Sequence, residues 1–287
     1  GTGVALITPF KQDGAVDFDA LKRVINYIID GGVQYLVTLG TTGETPTLSS
    51  EEKAEIVRFT YEVAGDLVPV VVGIGGNNTA AVLKEMESLP LDKAIAILSA
   101  SPYYNKPSQE GIYQHYKAIA QATTKPIILY NVPGRTGSTI AAATTLRLAN
   151  DFENICGIKE ASGNMALCMQ IIKDKSPDFF VTSGDDNLAL AQIACGMEGV
   201  ISVAANCFPK DFSKLVQCAL NNEYTSARAL HYRLLQGFDL LFAENNPAGV
   251  KAVLSEYSII ENYLRLPLVP LSDGYVQQIK QFVATLK

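Results

Sequence analysis

Eight short apolar runs, each followed by a stretch of helical periodicity, alternate along the first two-thirds of the chain. The runs occupy positions 3–9, 35–39, 69–74, 94–98, 126–130, 155–159, 179–183 and 199–203. Between the first two, Phe18, Leu21, Ile25 and Ile28 recur at three- and four-residue steps, the face of one amphipathic helix, and Gly31-Gly32 ends it. Ser49 and Glu52 form a capping-box pattern ahead of Val57, Tyr61 and Ala64, and a later helix carries Ile112, Tyr116 and Ile119. A further helix is predicted over roughly 139–150. Strands that are apolar almost throughout belong to a parallel sheet covered on both faces. Eight strand–helix units over about 200 residues favour a closed (β/α)8 TIM barrel over an open doubly wound sheet.

No strand signal follows position 205. Helical stretches near 209–221, 223–242 and 271–286, with another after Pro247, read as a C-terminal helical appendage. The expected organisation is a barrel core over 1–207 and a helical region over 208–287 that completes and extends it. No stretch is rich enough in Gly, Pro or Ser to act as a linker between independent domains.

Composition excludes several classes of function. Hydrophobic residues make up 48% and charged residues 18% of 287, ample for a large core and unlike a disordered chain. A net charge of −6 argues against nucleic acid as a partner. Apolar runs such as Val68-Pro69-Val70-Val71-Val72 fall far short of the ~18 residues of a membrane span. No secretory signal is visible, although the chain begins at Gly1 without a methionine. The five cysteines (156, 168, 195, 207 and 218) are scattered, with no Cys-x-x-Cys pair, as expected for reduced thiols in a cytoplasmic protein. The only histidines, His115 and His231, lie in helical stretches and are read as structural. A His-based metal site or a Ser-His-Asp triad therefore lacks partners, and no metal is expected. Gly73-Ile74-Gly75-Gly76 lacks dinucleotide and P-loop spacing and is assigned to a turn. Asp185-Asp186 is no basis for a metal site.

Polar residues gather where a barrel does its chemistry, after the C-terminal ends of the strands. Strand six carries Lys159 within Ile155-Cys156-Gly157-Ile158-Lys159-Glu160. Burial disfavours the ammonium form of a lysine, and the free amine is what attack on a carbonyl carbon requires. Taken alone, a lysine at a strand end is more often a side chain that snorkels to water or pairs with a carboxylate. Strand two delivers Gly40-Thr41-Thr42-Gly43-Glu44, whose backbone N–H groups and hydroxyls suit an anion. Strand four delivers Tyr103 and Tyr104, strand five Tyr130 and then Arg135, and strand seven Gly184. A candidate amine nucleophile, hydroxyl groups, an anion cradle and a guanidinium thus share one rim.

Three of these stretches carry a resemblance. Gly40-Thr41-Thr42-Gly43-Glu44, Tyr130-Asn131-Val132-Pro133-Gly134-Arg135-Thr136-Gly137 and Gly157-Ile158-Lys159-Glu160-Ala161-Ser162-Gly163 resemble the pyruvate-dependent class I aldolases of the dihydrodipicolinate synthase and N-acetylneuraminate lyase family. The likeness spans nearly the whole chain and ends with Asn246-Pro247. Arg135, and Tyr103-Tyr104 before Asn105, resemble the synthase branch; the sialic acid lyases lack an arginine at that place.

The resemblance implies a lyase of the lysine and diaminopimelate branch that joins pyruvate to L-aspartate 4-semialdehyde, giving 4-hydroxy-tetrahydrodipicolinate. Lys159 would form the imine with pyruvate, and Tyr130, Thr41 and Tyr104 would relay protons. Thr41 and Thr42 would hold the pyruvate carboxylate and Arg135 that of the semialdehyde, with Gly184 and Ile201 near the imine. No metal or organic cofactor is implied beyond the covalent link on Lys159. In the family the second tyrosine of the pair enters from a neighbouring subunit, so Tyr104 implies self-association, as a homotetramer built from two dimers. Where lysine-inhibited members carry a histidine and an acidic group, this chain has Ser50, Lys53 and Ala81, although Asn77 and Tyr103 remain. Weak or absent inhibition by lysine is the expectation. The alternatives are an aldolase of the same family acting on a sugar keto acid, and a non-catalytic barrel that binds a small molecule.

Overall fold

The computed structural model describes residues 1–286. Eight strands close into a barrel in sequence order, β1 (Thr2–Ala5), β2 (Tyr35–Thr38), β3 (Val70–Gly73), β4 (Ala96–Ala100), β5 (Ile127–Asn131), β6 (Ile155–Glu160), β7 (Phe180–Ser183) and β8 (Val200–Ser202). Every neighbouring pair is parallel, including β8 with β1. The expected (β/α)8 architecture is the one observed.

The surrounding helices are α1 (Phe18–Asp30), α2 (Ser50–Ala64), α3 (Thr79–Ser88), α4 (Gln109–Gln121), α5 (Pro133–Thr136), α6 (Ala142–Asp151), α7 (Met165–Asp174), α8 (Ala189–Ala194) and α9 (Pro209–Leu220). Helix α1 starts where the Asp17 side chain accepts from Ala20 N and ends at Gly31, burying Leu21, Val24, Ile25 and Ile28. The Ser49–Glu52 capping box forms both of its bonds at the start of α2. Helix α6 begins three residues later than the periodicity suggests, because side chains hold the preceding segment extended. Ile140 N donates to Asn131 Oδ1 and Ala141 N to Gln109 Oε1, while Gln109 Nε2 donates to the Thr139 carbonyl.

Helix α9 packs against both α8 and α1 and so closes the helical ring. Beyond it, α10 (Tyr224–Phe242) lies on α9, and α11 (Ala248–Glu256) and α12 (Asp273–Leu286) pack on α10 and on each other. The two histidines lie buried on helices α4 and α10. His115 Nδ1 lies 2.9 Å from Thr79 Oγ1, and burial pushes that imidazole down to about 4, so it is neutral at neutral pH.

Alternation along the strands divides the core in two. Val4, Leu36, Val70, Val72, Ile97, Ile127 and Leu129 face the helices. Ala5, Val37, Val71, Ala96, Leu98, Ile128, Tyr130 and Ile201 fill the lumen. Each fully buried aliphatic side chain stabilises the fold by roughly 1.5–3 kcal/mol.

Strand β6 departs from this alternation in one place. Ile127 pairs with Ile155 but Ile128 pairs with Gly157, leaving Cys156 as an extra residue on β6. A bulge of this kind re-aims the side chains that follow it. Ile155 and Ile158, three positions apart, both face the helices, and Cys156 packs against the lumen cluster. Strict alternation from Ile155 would point residue 159 outward; with the bulge it falls in register with Tyr130, which faces the lumen. Gly157 leaves room for this geometry, since a Cβ there would stand 2.7 Å from atoms of the Phe180 ring.

Candidate active site

At the C-terminal end of β6, Lys159 is 4% exposed, although a lysine is rarely so buried. It lies between Tyr130 on β5 and Thr182 on β7 in the strand register, and its Nζ is 4.4 Å from the centre of the Tyr130 ring. The next residue, Glu160, is fully buried and fixes the strand end through two bonds. It accepts from Asn131 Nδ2 at 2.8 Å and from Ser162 N at 2.7 Å. Burial raises the pKa of the Glu160 carboxyl, and these donors offset part of that rise. Position 184 tolerates only glycine without rearrangement. A Cβ there would stand 2.5 Å from the Ala161 Cβ and 2.8 Å from Lys159 Cε.

The chain after β2 forms two consecutive 3₁₀ turns, Thr41–Gly43 and Thr45–Thr47. Gly43 N donates to the Gly40 carbonyl, and Thr45 Oγ1 returns to the same carbonyl at 2.8 Å. Thr42 is buried and its Oγ1 accepts from Asn246 Nδ2 at 2.8 Å, while Thr41 is only half-buried. Asn246 also meets the guanidinium: Arg135 Nη2 donates to its carbonyl at 3.4 Å. Arg135 belongs to α5, a single helical turn that Pro133 starts and Gly137 (φ 73) ends.

These groups line two adjoining cavities at the barrel mouth. The smaller, about 80 Å³, holds Lys159 together with Thr41, Thr42, Tyr130, Arg135 and Gly184. The larger, about 340 Å³, shares Thr41, Tyr130 and Arg135 and runs toward Lys53, Glu85 and Tyr103. Six of the residues singled out from the sequence thus meet in one chamber. Ile201 does not line it, being buried in the lumen. Tyr104 is also absent from the linings; it is 87% exposed, with a left-handed backbone (φ 68).

Compared with known proteins, residues 1–286 match the family described as the dihydrodipicolinate synthetase family. A 4-hydroxy-tetrahydrodipicolinate synthase of Azobacteroides pseudotrichonymphae is 54% identical over 281 residues, spanning 98% of this chain and 95% of that protein. The chain belongs to this family. A crystal structure of dihydrodipicolinate synthase from Aquifex aeolicus superposes with a TM-score of 0.96 at 39% identity, covering 100% of this chain and 97% of that one. The chloride-inhibited dihydrodipicolinate synthase of Acinetobacter baumannii, solved with pyruvate, gives a TM-score of 0.96 at 39% identity over 99% and 97% of the two chains.

Three features of the site arise from tertiary contact and are not marked in the sequence. Asn246, far along the chain, bridges Thr42 and Arg135. Glu85, one turn beyond Ala81 on α3, brings a carboxylate to the larger cavity, and Lys53 Nζ pairs with it at 2.7 Å. The adjacent aspartates have separate tasks. Asp185 lines the smaller cavity and accepts from Gly163 N at 3.1 Å. Asp186 is buried beneath the turn after β8, accepting from Ser202 Oγ at 2.6 Å, Ala204 N at 2.7 Å and Val203 N at 3.1 Å. Both follow β7, and the chain there turns Asp185 to the cavity and Asp186 to the end of β8.

Burial pushes the Asp186 carboxyl up from 3.8 to about 6 despite these donors. Between those values the folded state holds a proton that the unfolded chain has lost. The associated stabilisation is therefore present at low pH and lost as pH rises through about 6. Asp186→Asn keeps an acceptor for the backbone donors and removes the titration. In urea unfolding from pH 4 to pH 7, the stability of the variant relative to the parent should rise by on the order of 2–3 kcal/mol; a pH-independent difference would contradict the assignment.

Proposed function

We propose that the protein condenses pyruvate with L-aspartate 4-semialdehyde to 4-hydroxy-tetrahydrodipicolinate through an imine on Lys159. The observation that carries this reading is a buried lysine amine in a chamber of about 80 Å³ shared with two threonines, a tyrosine and an arginine. The names carried by its relatives support it.

The free amine of Lys159 adds to the keto carbon of pyruvate, and loss of water gives the imine. The imine draws electrons from the adjoining carbon, so the methyl group gives up a proton and becomes an enamine nucleophile. That carbon attacks the aldehyde of the second substrate; its amine then displaces Lys159 as the ring closes, and the lysine is regenerated. The covalent link takes the place of a cofactor. Thr41 and Thr42 hold the pyruvate carboxylate with nearby backbone donors, and Gly184 leaves the space beside Lys159 Cε. Ile201, at the top of the lumen, serves through its backbone. Arg135 receives the semialdehyde carboxylate in the two-pronged way open to a guanidinium. Its exposure at the chamber entrance suits a group that meets the second substrate.

Protons pass among the hydroxyls of Tyr130, Thr41 and Tyr104. The position of Tyr104 favours delivery into the chamber of a neighbouring subunit, since in its own chain it stands out from the surface. The assembly proposed is a tetramer of two dimers. The cytoplasm fits the chemistry and the free cysteines, and no helix among the described residues is long and apolar enough to cross a membrane. In the larger cavity the Glu85 carboxylate is already engaged by Lys53, which disfavours a bound lysine there.

Replacing Arg135 with Ala should lower kcat/KM for L-aspartate 4-semialdehyde by about two orders of magnitude while pyruvate KM stays within a few-fold. An unchanged semialdehyde KM would move the reading to a sugar keto acid. Sedimentation of a fully active monomer at assay concentration would remove the inter-subunit role of Tyr104.

A further inference from the structure

The turn that carries Thr41 and Thr42 ends on a residue in an uncommon state. Glu44 is 2% exposed and has left-handed backbone angles (φ 52, ψ 33), a conformation that favours glycine. It caps the first 3₁₀ turn and opens the second. A glycine would hold that backbone more readily, so the carboxylate itself is what the position requires.

The carboxylate reaches the C-terminal region. Lys251, on α11 and fully buried, places Nζ 2.5 Å from Glu44 Oε1. Arg265 N donates to Glu44 Oε2 at 3.1 Å, and Lys251 Nζ donates to the Tyr263 carbonyl at 2.9 Å. The Arg265 guanidinium ties the second 3₁₀ turn to the segment before α1 and to the start of α2. It donates to the carbonyls of Gly14 and Thr47 and pairs with Glu52 of the α2 capping box. Both cations approach the Phe10 ring, Lys251 Nζ at 4.2 Å and Arg265 Cζ at 4.4 Å from its centre.

A buried ion pair is a weak source of stability, because desolvation of two charges offsets their attraction, and a neutral pair of similar volume often serves as well. Burial accordingly drives Lys251 down to about 8 even with Glu44 drawing it back. What the pair supplies is location. Short 3₁₀ turns have poor hydrogen-bond geometry, and this one is tethered at Glu44 while Asn246, five residues before Lys251, holds Thr42. We propose that the Glu44–Lys251 ion pair, backed by Arg265, is a positioning element that sets Thr41 and Thr42 against the pyruvate carboxylate. The inference rests on the reading of those threonines given above.

Two variants test it in steady-state assays with both substrates, alongside thermal melts. Glu44→Gln with Lys251→Met removes both charges together, and Arg265→Lys loosens the loop from its half-exposed side without stranding a buried charge. In each, pyruvate KM should rise about tenfold or more, since displacements near 1 Å carry effects of that size. Semialdehyde KM and kcat at saturating pyruvate should stay within a few-fold. A merely structural pair would lower the melting temperature and leave pyruvate KM alone. Parental pyruvate KM in Arg265→Lys, and in the double variant where it folds, overturns the inference while leaving the parent's chemistry intact. A parent that consumes no pyruvate overturns both the inference and the function beneath it.

Discussion

One extra residue on β6 decides where the lysine points. Ile155 and Ile158 both contribute to the core between barrel and helices, a demand that strict two-residue alternation cannot meet. The bulge at Cys156 resolves it by placing Cys156 and Gly157 opposite Ile128. From there Lys159 is carried inward, level with Tyr130, where the apolar filling of the lumen gives way to the polar mouth. The burial of Lys159 is thus set by a packing demand three residues away on the same strand. Glu160, on the opposite face, is locked by Asn131 and Ser162, so the strand end has little freedom to undo the arrangement.

The C-terminal helices extend this logic from one strand to the whole rim. Asn246 touches Thr42 with its side chain and Arg135 with its carbonyl, so one residue relates the two groups proposed to hold the two substrate carboxylates. Lys251 and Arg265 reach the same loop from below and from outside. The region past the last strand is therefore part of the site's framework, although only Val203, Phe242 and Asn246 of it line the smaller cavity.

The barrel was legible because its strands are apolar on both faces and its helices carry clear periodicity and caps, as at Asp17 and Ser49. Lys159, Thr41, Thr42, Tyr130, Arg135 and Gly184 were legible because they lie at or just beyond strand ends, and a closed barrel gathers strand ends at one rim. The bulge was not, since Cys156 and Gly157 read as ordinary strand residues until paired with β5. Nor was the short helix α5, which depends on the left-handed turn at Gly137. Glu44, Asn246, Lys251 and Arg265 lie hundreds of residues apart in part, and their pairing is a product of tertiary contact alone. Glu85 escaped notice because its pairing with Lys53, on a different helix, is a product of tertiary contact.

The central claim is that the inward-facing amine of Lys159 bonds covalently to a small keto acid. Its most direct measurement is reduction of the protein with borohydride in the presence of pyruvate, followed by peptide mass analysis. The account predicts a single reduced adduct, on the peptide that carries Lys159, and none in Lys159→Ala. An unmodified chain, or an adduct that persists in that variant, would contradict it.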